Sequence, residues 1–297
     1  MDSYPGIGPG RCCCLLGVTR QAYYQHFLAA SSLSLGQEII LGRVREIRTV
    51  HPAIGARKLY LLLQGFLFEH RIKMGRDALF DLLSAHSLLV RRKRRRAYTT
   101  QSFHWLRKYP NLIRGMVPSR PNEVWVSDIT YYRTSRGFAY ISFITDAYSR
   151  KIVGYHLADT LEAVHTLAAL KMAISENGPH INGLVHHSDR GVQYCSHDYV
   201  KLLQDNGIMI SMTENGDPLE NAIAERVNGI IKQEYLQHHK VSTKQQLEQL
   251  LASSVNSYNR LRPHMSCSMM TPDSVHMENL QIERKWKNYY NKENVNM

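Results

Sequence analysis

The sequence predicts an α/β protein, a mixed-sheet layer domain preceded by a small all-α region. Three observations carry that expectation. Apolar residues recur at helical spacing through much of the first 90 residues. After Pro118 and Pro121 the texture changes to alternating β-branched and aromatic stretches. Helical and strand patterns then alternate to about residue 236, the order of a sheet layered with helices.

The chain has 297 residues, room for one large domain or two. With 43% hydrophobic and 21% charged residues it has a globular balance, which excludes wholesale disorder. The net charge of +12 is unevenly spread: the first 120 residues hold 20 basic and 6 acidic side chains, the remainder 17 and 19. That asymmetry points to a basic, polyanion-binding front end joined to a near-neutral domain. No apolar run approaches the roughly 18 residues that span a bilayer; the stretch at 59–68 is interrupted by Gln64 and Gly65. The opening MDSYPGIGPG lacks the basic and apolar regions of a secretory signal. Cys12, Cys13, Cys14, Cys195 and Cys267 show no metal-ligand pairing and fit reduced thiols in a cytosolic protein.

Residues 1–36 contain one short apolar helix pattern, CLLGVTRQAYYQHFLA. In residues 37–90, Ile39, Ile40, Val44 and Ile47 mark a helix, and after HPAIG a second follows with Leu59, Leu62, Leu63 and Phe66. A third, Arg76–Ala85, aligns Leu79, Leu82 and Leu83, giving a helix-turn-helix-like DNA-binding region. Residues 91–118 read as a basic linker. Its run Arg91, Arg92, Lys93, Arg94, Arg95 and Arg96 is a set of candidate phosphate contacts. VWVSDITYYRT and FAYISFITDAYSR, with Gly137 between, form a hairpin, and KIVGYHLAD adds a third strand. A helix over 161–175, the strand GLVHHSD, the helix SHDYVKLLQDNG, the strand IMISMT and a long helix over 219–236 follow. The polar tail 274–297 is expected to pack poorly.

Three carboxylates stand out. Asp128 interrupts an apolar strand, where Asp is depleted. Asp189 follows a short apolar strand, at the kind of strand end where α/β sites form. Glu225 belongs to a polar stripe of Asn221, Glu225, Asn228 and Lys232, with Ile223, Val227, Ile230 and Ile231 expected on the opposite, sheet-facing side. Sixty residues separate the first two carboxylates and 35 the second pair. Here the chain resembles the DDE transposases and retroviral-type integrases, in particular the second-reading-frame product of the insertion-sequence family three transposases. The matching motifs are WVSDIT, DAYSR, HHSDRGVQY, SMTENG, NAIAE with Lys232, and YNRLRPH before Thr271 and Pro272. HPAIGARKLY and the helix after it resemble that family's helix-turn-helix. Glu220–Asn221 departs from the family's usual Asp-Asn and leaves the three carboxylates untouched.

The resemblance implies a ribonuclease H-like core over 119–273, with Asp128, Asp189 and Glu225 as the catalytic carboxylates. They would hold two Mg²⁺ or Mn²⁺ ions about 3.5–4 Å apart for in-line phosphoryl transfer. Such crowded acids predict a metal-free site that is raised in pKa or mobile. The implied substrates are the terminal inverted repeats of an insertion sequence and a target DNA. A homo-oligomer assembled on DNA and a first-frame transposase subunit, separate or fused, are the implied partners, and the bacterial cytoplasm at the nucleoid is the implied place. Lys232, two helical turns beyond Glu225, is placed to meet a phosphate; Arg190 either contacts DNA or orients its loop. His186 and His187 are read as supports rather than ligands, since imidazole without a Cys partner suits Zn²⁺ better than Mg²⁺. Asp146 is a rival carboxylate that equally caps a turn. Tyr258, Asn259, Arg262 and His264 fit DNA contact and helix packing equally well. Two other functions compete: a ribonuclease H-like structure-specific nuclease, and an inactive DNA-binding repressor. The basic front end and YNRLRPH argue against the first, and the intact set of carboxylates against the second.

Overall fold

The computed structural model describes residues 9–90, 105–134, 137–178, 181–214, 221–278, 280 and 282. Arg91, Arg92, Lys93, Arg94, Arg95 and Arg96 lie outside the described residues. The chain divides into two compact units, Met1–Val50 with Gly55–Val90, and His51–Ile54 with Arg91–Met297. Among the described residues no helix is long and apolar enough to cross a membrane.

In the first unit, α1 spans Pro9–Leu15 and α2 Arg20–Val50. The expected single helix CLLGVTRQAYYQHFLA is therefore split, and α2 begins well before residue 37. The cause is local: Gly17 takes φ +67, a left-handed turn that an L side chain resists, and the Thr19 hydroxyl accepts the Ala22 N–H at 3.1 Å, starting α2. α3 (Ala56–Glu69) and α4 (Arg76–Ala85) complete the unit. Of the predicted stripe set, Ile40, Val44, Leu59, Leu63, Leu79, Leu82 and Leu83 are buried, each contributing roughly 1.5–3 kcal/mol of transfer free energy, while Ile39 is exposed and Ile47, Leu62 and Phe66 are half-buried.

The second unit is built on a five-stranded sheet in the order β3-β2-β1-β4-β5. β1 (Val124–Thr134), β2 (Gly137–Asp146) and β3 (Ile152–Ala158) run antiparallel as the predicted meander. β4 (Val185–Ser188) pairs parallel with β1, and β5 (Met209–Met212) parallel with β4. The parallel crossovers run through α5 (Ala163–Asn177) and α6 (His197–Asp205), giving the ribonuclease H-like layering. One face of the sheet packs Trp125, Ile144 and Val153 against Leu170 and Ala173 of α5 and Tyr199 and Leu203 of α6. Gly154 lets α5 lie close: a Cβ there would stand 2.4 Å from the Ala169 carbonyl oxygen and 2.8 Å from the Ala173 Cβ. The opposite face packs Ile141, Phe143 and Leu157 against Val227 of α7 (Ala222–Ile230) and Leu251, Val255 and Tyr258 of α8 (Lys244–Arg260). Thr243 and Gln246 start α8 with a reciprocal capping box.

Two expectations are corrected. The helix over 219–236 is not continuous: α7 ends at Ile230, a π-helical turn spans Ile231–Tyr235, and a 3₁₀ turn follows over Leu236–His238. Tertiary partners hold the wide turn: Arg262 grips the Glu234 carboxylate, Ala53 N donates to Glu234 O at 3.2 Å, and Tyr235 OH lies 2.9 Å from His51 Nδ1. The tail is not loose at its start. α9 (Pro272–Glu278) buries Val275 and His276, the Thr271 hydroxyl accepts the Ser274 N–H at 3.3 Å, and Tyr148 OH donates to Leu280 O at 2.8 Å. The later part of the linker also lies on this unit: Leu112 N donates to Ser211 Oγ at 2.9 Å and Met212 N to Pro110 O at 3.2 Å.

Candidate active site

β1 and β4 are in parallel register from Val124 opposite Val185 to Val126 opposite His187. Asp128 and Asp189 each come two residues after that last pair, so they flank each other where the parallel strands part. This is the carboxyl-end crevice of an α/β sheet, where ligands bind. Val124, Val126 and Val185 pack against Ala224, which lays α7 over this face. Asp128, two residues after Val126, points to the same face by strand alternation.

There α7 meets it. Asp128 Oδ2 accepts from Asn228 Nδ2 at 2.8 Å, and Oδ1 from its neighbour's amide, Ile129 N, at 2.9 Å. Asn221, at the start of α7, donates its Nδ2 to Ser127 O at 2.9 Å. Asn221 and Asn228 are therefore buried against β1, not on a solvated stripe facing away from the sheet. The reason is that β1 offers α7 a carbonyl and a carboxylate there, and buried acceptors need donors. Glu225 lies on the same helix between these two asparagines and is exposed. Asp189 Oδ1 accepts from Gly191 N at 2.9 Å. A Cβ on residue 191 would stand 2.9 Å from that same oxygen, so SDRG needs its glycine to leave the carboxylate in place. Arg190 is half-buried beside it. Lys232, on the π-turn, sets its ammonium 3.8 Å from the Tyr131 ring centroid, and burial lowers its pKa.

Burial, and next the charge of Asp189, push the Asp128 carboxyl up to about 7; Glu225 adds to the rise, while the Ile129 amide and Asn228 oppose it. The expected raised acid is present. On the α6 side of the sheet Ser127 Oγ lies 2.6 Å and Tyr199 OH 2.9 Å from His186 Nε2, and on the opposite side His187 Nδ1 lies 2.8 Å from Ser211 Oγ. Both imidazoles are fully buried. Asp146 is fully buried as well, accepting from Ser149 N and Oγ at 2.7 Å each and from Asn122 N at 2.8 Å, the work of a turn cap. The YNRLRPH segment is packing: Asn259 brackets Ile152, accepting its N–H and donating to its carbonyl at 3.0 Å each. Tyr258 OH donates to Arg150 O at 2.9 Å, and Arg262 is 1% exposed. The His264 ring accepts from Ser266 N at 3.3 Å. Sequence reasoning placed Asn221 and Asn228 on the stripe but missed their bonds to β1; the signal was their four- and three-residue spacing from Glu225.

Two buried histidines set an acid limit. Burial, with Arg262 nearby, lowers His51 to about 4, and burial with His187 nearby lowers His186 to about 3. Between pH 6.5 and these values the unfolded chain binds protons that the folded chain does not, so stability falls as pH falls. Asp128, raised to about 7, binds its proton in the folded chain first and offsets one of the two histidines, so urea midpoints should drop between pH 6 and 4 with the slope of about one proton; His186→Gln should flatten that slope.

The mixed sheet with two carboxylates at its strand ends and a third on the covering helix defines the class of integrase-core nucleic-acid enzymes. An integrase core domain model matches residues 118–218, and a second integrase core domain model residues 206–272. The chain is 34% identical over 265 residues to the uncharacterized 31 kDa protein of insertion element IS600 of Shigella sonnei, covering 88% of this chain and 95% of that one. It is 31% identical over 266 residues to a putative transposase for insertion sequence element IS986/IS6110 of Mycobacterium tuberculosis, covering 86% and 93%. The catalytic core domain of HTLV-2 integrase, solved in complex with magnesium, aligns with a TM-score of 0.43 at 21% identity, over 52% of this chain and 97% of that one. The chain belongs to the DDE transposases of insertion sequences, with an integrase-like core. Its reaction class is polynucleotidyl transfer in transposition, which depends in general on divalent metal.

Proposed function

We propose that Asp128, Asp189 and Glu225 are the catalytic, metal-holding carboxylates of this transposase. The observation that carries the reading is geometric: Asp128 and Asp189 end two neighbouring parallel strands, and Glu225 stands on the helix whose Asn228 binds Asp128; burial and then the Asp189 charge raise the Asp128 pKa there. The donor set is hard oxygen, which suits Mg²⁺ or Mn²⁺, and two ions are expected. Among the described residues no three His, Cys, Asp or Glu side chains already form a coordination shell, so the reading requires the three carboxylates to draw together when the ions bind. Bound cations supply Lewis acidity that sharpens the attacking oxygen and stabilises the leaving one.

The chain's own groups do the rest. Asp128 gives up its proton when the site fills, and Asn228 keeps that carboxylate aimed as it does so. Gly191 N–H does the same for Asp189. Lys232 and Arg190 contact the phosphates of the bound DNA end. Residues 37–90 and the basic linker 91–118 hold terminal repeats, with Arg91, Arg92, Lys93, Arg94, Arg95 and Arg96 on the backbone, while 119–273 carries the chemistry. Two ends brought together require at least a dimer, and a first-frame transposase subunit contributes end recognition. The enzyme works on the nucleoid. The test is cleavage of a labelled duplex bearing the element's terminal repeat, in Mg²⁺, Mn²⁺ and chelator. Nicking at the repeat boundary in either metal, absent with chelator and in Glu225→Gln, is expected. Cleavage that survives chelation or the substitution overturns the assignment.

A further inference from the structure

We propose that Tyr131, with Phe138 beside it, is a stacking surface for an unpaired base near the scissile phosphate of the DNA end. The proposal rests on the active-site reading above, because it takes its distance from those carboxylates. Beyond the bond of Asn221 to Ser127, β1 and the helix bearing Glu225 meet at two further points. The first meeting is the bond between Asp128 and Asn228. The second is Lys232 over the Tyr131 ring. Tyr131 is three residues along β1 from Asp128, about 10 Å at 3.3 Å per residue, and by alternation its side chain leaves the other face of the strand, where Lys232 reaches it. Lys232 is seven residues beyond Glu225, about 10 Å at 1.5 Å per residue. Between the two meetings the helix advances four residues, from Asn228 to Lys232, about 6 Å at 1.5 Å per residue, so the Lys232 side chain reaches the rest of the way along β1.

The ladder between β1 and β4 stops at Val126, so Tyr131 stands on β1 past the end of that pairing. It is 39% exposed, and Phe138, in edge contact with it at 5.6 Å between centroids, is 52% exposed. Large aromatic surface open to water beside a half-buried ammonium has the two parts of a single-strand contact. The rings offer every base a face, and the cation meets the phosphate between bases. An apolar protein partner is less well matched, since it would bury the Lys232 charge without an acid opposite it. A stacked strand rises about 3.4 Å per nucleotide along its axis, so 10 Å places the stacked base within about three nucleotides of the scissile phosphate. Melting the end by a few pairs then gains protein stacking in place of base stacking.

The experiment uses the full chain without metal, at low salt, on two fluorescent probes: a blunt duplex and the same duplex with three unpaired terminal nucleotides. Wild type should prefer the fork. Tyr131→Ala should cut that preference by about tenfold, and Tyr131→Phe should restore it. A 2-aminopurine placed third from the end should be quenched by wild type and by Tyr131→Phe, and not by Tyr131→Ala. Equal binding of fork and blunt duplex by wild type, an unchanged preference in Tyr131→Ala, or the same loss in both variants overturns the proposal. No chemistry is read, so failure of the carboxylate assignment would show in the cleavage assay alone.

Discussion

Asp189→Asn is expected to cut metal-dependent strand cleavage by about 10³-fold or more while leaving the fold intact and the metal-free protein slightly more stable. The activity loss follows from chemistry: an amide carries no charge and is a poor hard-oxygen ligand, and even outer partners of a metal site cost about 10–100-fold when removed. The stability gain follows from electrostatics. After burial, Asp189 is the largest cause of the rise in the Asp128 carboxyl, so its charge works against the metal-free fold. Asn keeps the shape and an Oδ1 that accepts the Gly191 N–H, so the loop stays in place. Single-turnover cleavage and a thermal melt in chelator read the two effects. Saturating Mg²⁺ should stabilise wild type more than the variant. A variant that cleaves normally, or that melts well below wild type in chelator, contradicts this account.

Arg262→Ala should destabilise the protein by about 3–5 kcal/mol. Arg262 is 1% exposed, and its Nε and Nη2 donate to the two Glu234 oxygens at 2.9 and 2.8 Å, a bidentate pair. Removing the cation leaves Glu234, itself largely covered, facing a vacated space beside Tyr258 and Tyr235. The loss also frees the π-turn, because Glu234 is one of the residues that hold it open. Arg262→Lys should recover part of the stability and not all, since an ammonium cannot span both oxygens. Replacing Arg262 and Glu234 together by Met and Leu should cost far less than Arg262→Ala alone. Urea unfolding followed by circular dichroism gives all three values. Equal midpoints for wild type and Arg262→Ala would remove the ion pair from the list of things that hold this domain.

Much of the catalytic unit is legible because its signals are local. Strand alternation in VWVSDITYYRT and FAYISFITDAYSR, with glycine at the bend, is enough for the meander. An acid inside that alternation marks Asp128 without any partner being known. What could not be read depends on partners distant in sequence. The break at Ile231 arises from Arg262 and His51, which lie 28 and 184 residues from their partners. The burial of Asn221 and Asn228 depends on acceptors offered by β1, 94 and 100 residues away. The packing of the YNRLRPH segment is likewise invisible in the residues themselves, because Arg and Asn are as suited to phosphate as to a buried carboxylate or carbonyl. The split of α1 from α2 was open to local reading, through Gly17 and Thr19, and the apolar pattern running across them hid it.

The π-turn over Ile231–Tyr235 has a consequence for how this gene can change length. A regular helix advances about 100° per residue, and the wide turn absorbs one residue beyond that phase. Upstream of it, Asn228 faces Asp128; at its far end, Glu234 and Tyr235 face Arg262 and His51. A codon deleted within the turn would straighten it into ordinary helix, keeping one set of partners and rotating the other away. Single-residue deletions should therefore be tolerated worse here than in the exposed stretch just before Thr243, although neither site touches the carboxylates.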